Sequence, residues 1–274
     1  MKVLVSDSLA EDGVKRLQSG ADVDVITNLS PEELIQKIPD YDALVIRSGT
    51  KVTADVINAA KRLRVIGRAG VGIDNVDVEA ATKKGIIVLN TPGGNTISAA
   101  EHTIAMMLAL ARNIPQANSA LHQGEWNRKK YTGVEFFNKT LGVVGLGRVG
   151  AEVAARMKSF GMRILAYDPF VTEEKAQQMG LTLATLETVL REGDFITVHT
   201  PLTNETRNLI DDDEFKIMKD GVRIVNCARG GIINEAALAK AVAEGKVAGA
   251  AVDVFTKEPP TGNPLLGQER IITT

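Results

Sequence analysis

The chain is short of several features, and each shortage excludes something. Its 274 residues include one cysteine, Cys227. No internal disulfide framework can form, and a reducing compartment, the cytosol, is expected. There is no long hydrophobic run. The longest apolar stretch, around Ile104 to Ala111, is far too short to span a bilayer, so no membrane partner is expected. There is no basic block: 32 Lys and Arg stand against 34 Asp and Glu, a net charge of −2. Nucleic acid is therefore not an expected partner. No low-complexity tract is present. Met1-Lys-Val-Leu-Val-Ser6 runs directly into a strand pattern, so no signal peptide is expected. Histidine is also scarce, with only three: His102, His122 and His199.

What is present reads as globular, with 44% hydrophobic and 24% charged residues. The length suits one large or two ordinary domains. Short apolar runs alternate with helical patterns. In the first part, strands are expected at Lys2–Ser6, Val23–Thr27, Ala43–Arg47, Val65–Arg68 and Ile86–Asn90. Ser30-Pro31-Glu32-Glu33 reads as a helix start, with a Ser cap, Pro at the first helical position and acids in the first turn.

The second part repeats the plan. Its expected strands are Thr140–Val144, Arg163–Tyr167, Phe195–His199, Val222–Asn226, Ala248–Val252 and Arg270–Thr273. Nearly continuous apolar runs of this kind suit strands covered on both faces. A helix is expected over Asn95–Asn113, with a capping-box pattern at Ser98-Ala-Ala-Glu101. Residues 116–139 read as a more polar segment containing Trp126. Strand–helix alternation predicts parallel, doubly wound sheets. The boundary is placed near Pro92–Asn95, dividing the chain into 1–94 and 95–274.

Gly145-Leu-Gly-Arg-Val-Gly150 matches G-x-G-x-x-G. The pattern alone is weak. Here a strand runs into it, a helix follows, and the next strand ends in Asp168. Gly145 permits the tight turn, Gly147 lets a pyrophosphate approach the backbone, and Gly150 allows close helix–strand packing. The helix N-terminus, with Val149 in its first turn, offers N–H groups to the diphosphate, and Arg148 adds a cation. The Asp168 carboxylate can accept from ribose hydroxyls and would repel a 2′-phosphate, which favours NAD over NADP. The alternative is a structural glycine turn with a capping acid.

A second turn, Gly67-Arg-Ala-Gly-Val-Gly-Ile-Asp74, lacks the third glycine. It reads equally as a sharp turn or as a nest of N–H groups for a carboxylate or phosphate.

Together these segments resemble the D-2-hydroxyacid dehydrogenases. The resemblance rests on Gly67–Asp77, Gly145–Gly150, Val198-His-Thr-Pro-Leu-Thr203, Asn226-Cys-Ala-Arg-Gly-Gly231 and Asp253-Val-Phe-Thr-Lys-Glu-Pro-Pro260. Arg47-Ser-Gly-Thr-Lys-Val-Thr53, Asn90-Thr-Pro92 and Trp126-Asn-Arg-Lys-Lys130 are also similar, and the likeness covers essentially the whole chain. It is nearest to the branch that oxidises 3-phosphoglycerate to 3-phosphohydroxypyruvate with NAD, the first step of serine biosynthesis.

The resemblance implies two doubly wound domains, a flavodoxin-like substrate domain and a Rossmann NAD-binding domain, with a cleft between them. It implies a small-molecule substrate, 3-phosphoglycerate or a related 2-hydroxy acid, and a homodimer or higher homo-oligomer. Arg229 matches the arginine that holds the substrate's carboxylate and carbonyl, a task suited to its forked donors. Glu258 matches the acid that pairs with the catalytic histidine. Asp253 matches the residue that binds the nicotinamide carboxamide. Thr200 and Pro201 match the strand end beside the adenosine, and Cys227 and Ala228 also fall among the cofactor contacts. Gly70, Val71 and Gly72 match the amides that receive the substrate carboxylate. Arg47 and Arg68 are candidate phosphate contacts, with Arg128 a third. No metal is implied.

Plainer readings stand beside these. Arg229 could be a surface turn residue and Glu258 an ordinary loop acid. Asp253, in an apolar strand, needs some partner in either case. Cys227 reads as a small core residue rather than a nucleophile.

The family places its catalytic histidine in a Pro-His pair after a strand like Ile271–Thr274. None of the three histidines follows Glu258, and His199 matches the adenosine side. The expectation is a core that binds NAD with little turnover. Two other readings remain: a glyoxylate or hydroxypyruvate reductase, and an NAD(H)-sensing protein resembling the corepressors that use this scaffold.

Overall fold

The computed structural model describes residues 1–274, which divide into two compact units, Met1–Asn95 and Thr96–Thr274. Strands form at the apolar runs in both.

The first unit has five strands: β1 (Lys2–Val5), β2 (Asp22–Val25), β3 (Ala43–Ile46), β4 (Val65–Arg68) and β5 (Ile87–Asn90). They pair in the order β2-β1-β3-β4-β5, all parallel. Helices α1 (Glu11–Gln18), α2 (Pro31–Lys37), α3 (Ala54–Ala59) and α4 (Val78–Lys83) form the crossovers. Helix α2 begins where the sequence indicates. The Ser30 hydroxyl accepts from Glu33 N–H at 3.2 Å, and the Glu33 carboxylate accepts from Ser30 N–H at 2.8 Å. This capping box satisfies two donors that a helix start would otherwise leave unpaired. The core gathers Leu4, Leu44, Ile46 and Ile66 of the sheet with Leu34, Ile38, Val56 and Ile57 of the helices, all at most 2% exposed. Burying each such aliphatic side chain stabilises the fold by roughly 1.5–3 kcal/mol.

The second unit has seven strands: β6 (Thr140–Val144), β7 (Arg163–Tyr167), β8 (Thr182–Leu183), β9 (Phe195–Val198), β10 (Val222–Asn226), β11 (Val247–Val252) and β12 (Ile271–Thr273). Their order is β12-β11-β10-β9-β6-β7-β8, again all parallel. The expected architecture of two doubly wound parallel sheets is the one found. Strand direction of winding reverses between β6 and β9, and a crevice outside the strand carboxyl ends at such a switch point is where open α/β sheets bind ligands.

The remaining helices are α5 (Thr96–Arg112), α6 (Ile114–His122), α7 (Arg148–Lys158), α8 (Glu173–Gln178), α9 (Leu186–Glu192), α10 (Asp212–Ile217) and α11 (Glu235–Ala243). Helix α5 buries Ala100, Thr103, Ile104, Met107, Leu110 and Ala111, a stripe at helical spacing, against α7, β10 and β11. No helix is long and apolar enough to cross a membrane.

Three local expectations change. Helix α5 already starts at Thr96, so Ser98 lies in its first turn and is not its cap. The segment read as polar from residue 116 opens with helix α6, entered from Asn113 in the left-handed region and with Pro115 in its first turn. The two-residue edge strand β8 was not foreseen.

Candidate functional site

In the second unit, the motif residues follow successive strand ends along one edge of the sheet. In strand order these are Asp253 after β11, Arg229 after β10, Thr200 after β9, Gly145 after β6 and Asp168 after β7. Four steps of about 4.8 Å between neighbouring strands make an edge of roughly 19 Å, suited to an extended dinucleotide.

The glycine turn behaves as its spacing demands. Gly145 has φ +100°, and a Cβ there would sit 2.9 Å from the His199 carbonyl carbon. At Gly150 a Cβ would lie 2.0 Å from the Gly145 oxygen, so only glycine lets α7 approach β6 this closely. Gly147 is the opposite case: a Cβ there meets nothing within 4 Å. It caps α7 with no side-chain acceptor, so the first-turn N–H groups point into open space beside the exposed Arg148. Val149 is half-buried behind them.

Asp168 is half-buried. One carboxylate oxygen accepts from Leu146 N–H at 2.8 Å and the other from Phe170 N–H at 2.9 Å. These bonds hold the carboxylate across the mouth of the glycine turn and leave lone pairs for further donors. The Thr200 hydroxyl is buried without a hydrogen-bond partner, beside exposed Pro201. A buried hydroxyl costs roughly 1–3 kcal/mol when unsatisfied, which marks a position where a ligand group is expected. The open approach at Gly147, the poised Asp168 and the orphaned Thr200 hydroxyl fit a dinucleotide.

His199 Nε2 shares a 3.0 Å hydrogen bond with Thr197 Oγ1, and burial pushes its pKa down to about 4. It is a neutral residue packed behind the glycine turn.

Beyond β10, the buried Asn226 ties the loop to itself. Its Oδ1 accepts from Ala228 N–H at 3.0 Å, and its Nδ2 donates to Arg229 O at 2.9 Å. Arg229 Nη1 donates to Ala228 O at 2.6 Å. A Cβ at Gly230 would meet the Phe255 carbonyl at 2.0 Å, so this loop passes directly against the one that follows β11. Glu258 is exposed and accepts from Phe255 N–H through Oε1 at 3.2 Å. Burial pushes the Cys227 thiol up to about 12, consistent with a residue that is not a nucleophile.

Asp253 has the partners its apolar strand requires. Its Oδ1 accepts from the Thr274 hydroxyl at 2.7 Å and lies 3.3 Å from His102 Nε2. His102 had no expected role here. It reaches Asp253 from α5, and only the packing of that helix on β10 and β11 reveals it.

The first unit has its own cluster at the strand carboxyl ends. Asp7, unforeseen from the sequence, follows β1 and accepts from Arg47 N–H (2.5 Å), Thr50 N–H (3.1 Å) and the Thr50 hydroxyl (3.0 Å). It fixes the loop that carries the exposed Arg47. In the Gly67–Asp74 turn, the carbonyls are tied inward. The Arg68 guanidinium donates to Gly72 O, Asn90 Nδ2 donates to Val71 O at 2.6 Å, and Thr91 N–H donates to Gly70 O at 3.0 Å. Gly70 N–H is itself used, bonding Arg68 O at 2.9 Å. Arg128 is exposed in the turn after α6.

Comparison with known proteins identifies the family. Residues 104–274 match the family model described as D-isomer specific 2-hydroxyacid dehydrogenase, NAD binding domain. A D-3-phosphoglycerate dehydrogenase from Archaeoglobus fulgidus is 55% identical over 276 residues, covering 100% of this chain and 52% of the relative. The Homo sapiens D-3-phosphoglycerate dehydrogenase is 54% identical over 274 residues, covering 99% and 51%. The chain thus spans about half the length of these relatives. The crystal structure of an Aquifex aeolicus D-lactate dehydrogenase complexed with NAD and lactic acid superposes with a TM-score of 0.90 at 27% identity, covering 100% of this chain and 87% of that one. The chain belongs to the D-isomer specific 2-hydroxyacid dehydrogenase family, and its second unit carries that family's NAD-binding domain.

Proposed function

We propose that the chain is the dinucleotide- and substrate-binding core of an NAD-dependent dehydrogenase acting on 3-phosphoglycerate, producing 3-phosphohydroxypyruvate on the route to serine. The observation that carries the reading is the row of strand ends from Asp168 to Asp253, with Arg229 between Thr200 and Asp253. NAD held here would supply a hydride acceptor for C2 of a 2-hydroxy acid. Asp168 receives the ribose hydroxyls, and the Gly147, Arg148 and Val149 segment receives the diphosphate, with Gly145 and Gly150 shaping the turn. Thr200 and Pro201 border the adenosine half, Cys227 and Ala228 the nicotinamide half, and Asp253 accepts from the carboxamide. Arg229 pairs with the substrate carboxylate and the C2 oxygen. Glu258, whose only side-chain hydrogen bond is to Phe255 N–H, orients a proton-carrying imidazole. In the 1–94 region, which we assign to substrate binding, Gly70, Val71 and Gly72 receive a carboxylate. Arg47 and Arg68 of this region meet the phosphate.

The preference for a phosphorylated substrate separates this reading from a hydroxypyruvate or glyoxylate reductase. Arg47→Ala should weaken 3-phosphoglycerate binding by roughly tenfold or more, the loss expected for a charge-assisted hydrogen bond, and leave glycerate binding little changed. Calorimetric titration in the presence of NADH checks this. Equal losses for both ligands would favour the reductase.

We further place the protein in a reducing cytosol, supported by its single half-buried thiol, and assign it a homodimeric state. Support for the dimer comes from large apolar side chains exposed along one segment of the second unit: Ile114 (53%), Leu121 (57%), Trp126 (75%) and Phe137 (65%). Exposed apolar side chains gathered in one stretch of chain are candidates for an association surface. Sedimentation should give twice the chain mass, and Trp126→Glu should shift it toward one chain mass. A concentration-independent monomer would overturn the assignment.

A further inference from the structure

Parallel pairing places Asn226 beside Val252 and Val252 beside Thr273. One residue further on, Cys227, Asp253 and Thr274 therefore emerge side by side from β10, β11 and β12. Helix α5 brings His102 over the same point. The imidazole nitrogen, thiol sulfur and carboxylate oxygen of His102, Cys227 and Asp253 lie within 4.8 Å of one another, all on half-buried residues. His102 Nε2 and Asp253 Oδ1 are 3.3 Å apart. Around a tetrahedral zinc ion with bonds of about 2.0–2.3 Å, donor atoms stand about 3.3–3.7 Å apart. One pair already meets this spacing, and the thiol needs only a small closure. The Thr274 hydroxyl stands beside them, 3.2 Å from His102 Nε2 and 3.8 Å from the Met106 thioether sulfur.

From this geometry we propose that His102, Cys227 and Asp253 form a site for a thiophilic divalent cation, Zn²⁺ above all. A nitrogen, sulfur and oxygen set selects zinc and its congeners against Mg²⁺ or Ca²⁺, which take all-oxygen shells. Binding forms a metal–sulfur bond, and the thiol proton leaves to solvent. Three protein ligands leave the fourth position to water. A cation held on Asp253 neutralises the carboxylate charge that would accept from the carboxamide, so cation and cofactor oppose each other. That second consequence rests on the functional reading above.

Co²⁺ titration of the untagged, metal-stripped chain tests the proposal, because cobalt bound to thiolate gives a charge-transfer absorption and the chain has a single cysteine. The expected result is a band that saturates at one equivalent and is displaced by Zn²⁺. It should be lost in Cys227→Ser and need at least tenfold more Co²⁺ in His102→Gln, with circular dichroism confirming both folds. Absence of the band in the folded wild-type chain, or an unchanged cobalt affinity in His102→Gln, overturns the site. NADH fluorescence separates the two claims. NADH that binds the metal-free chain yet leaves the cobalt affinity unchanged overturns the opposition. Failure of NADH to bind overturns the functional reading, while the cobalt spectrum still decides the metal site.

Discussion

At the scale of single residues, burial sets the protonation of His199 after β9 and of Cys227 after β10. His199 is held neutral by burial, with its pKa lowered from 6.5 to about 4. In the unfolded chain it takes up a proton as pH falls through about 6.5, whereas in the folded chain it does not until about 4. The unfolded state then binds more protons, so this contribution to stability is complete above about pH 6.5 and is lost progressively down to about 4. The full effect is up to about 3 kcal/mol, from roughly 1.4 kcal/mol per unit of pKa. His199→Gln can keep a hydrogen bond to Thr197 but does not titrate. Urea midpoints measured between pH 7 and pH 4.5 should fall less steeply in the variant than in the wild type. Parallel falls would show that His199 is not the group responsible.

At the scale of elements, the two glycines that frame the start of α7 separate folding from binding. Gly147→Ala adds a methyl into open space at a φ of −64°, which alanine accepts. The variant should match the wild type in thermal midpoint yet bind NADH at least tenfold more weakly, because the methyl enters the space proposed for the diphosphate. Gly150→Ala drives a methyl to 2.0 Å from the Gly145 oxygen. It should cost about 1–3 kcal/mol or more in stability as well as NADH binding. Calorimetric melting and NADH fluorescence on both variants check the contrast.

Much at this scale was legible in the sequence. Strands such as β6, buried at every position, announce themselves as unbroken apolar runs, and the Ser30 cap is encoded within four residues. Strand β8 is only two residues long at the sheet edge, too short for any period to show. Helix α6 hides its start behind a left-handed Asn113 and a proline, signals that equally mark a loop. At Ser98 a genuine pattern lost to context, because α5 gains an earlier first turn.

At the scale of the whole molecule, the legible part of the site is the local part. The glycine turn and Asp168 are read through fixed spacing, since a strand, a turn and a helix must follow one another to make them. The His102, Asp253 and Thr274 cluster joins residues far apart in the chain, which meet only because β10, β11 and β12 lie adjacent and α5 crosses them. No local pattern carries that information. Asp7 is similar: its three bonds to Arg47 and Thr50 exist because β1 and β3 are neighbours at the switch point of the first sheet.

Asp168 at the carboxyl edge of the second sheet is proposed to select NAD, and parallel fluorescence titration of this chain with NADH and NADPH tests it. Saturable NADH binding is expected, with NADPH binding weaker by roughly a hundredfold or more, since a carboxylate facing a 2′-phosphate costs several kcal/mol. Asp168→Ala should narrow that gap. Equal affinity for the two cofactors, or no NADH binding by the folded chain, would contradict it.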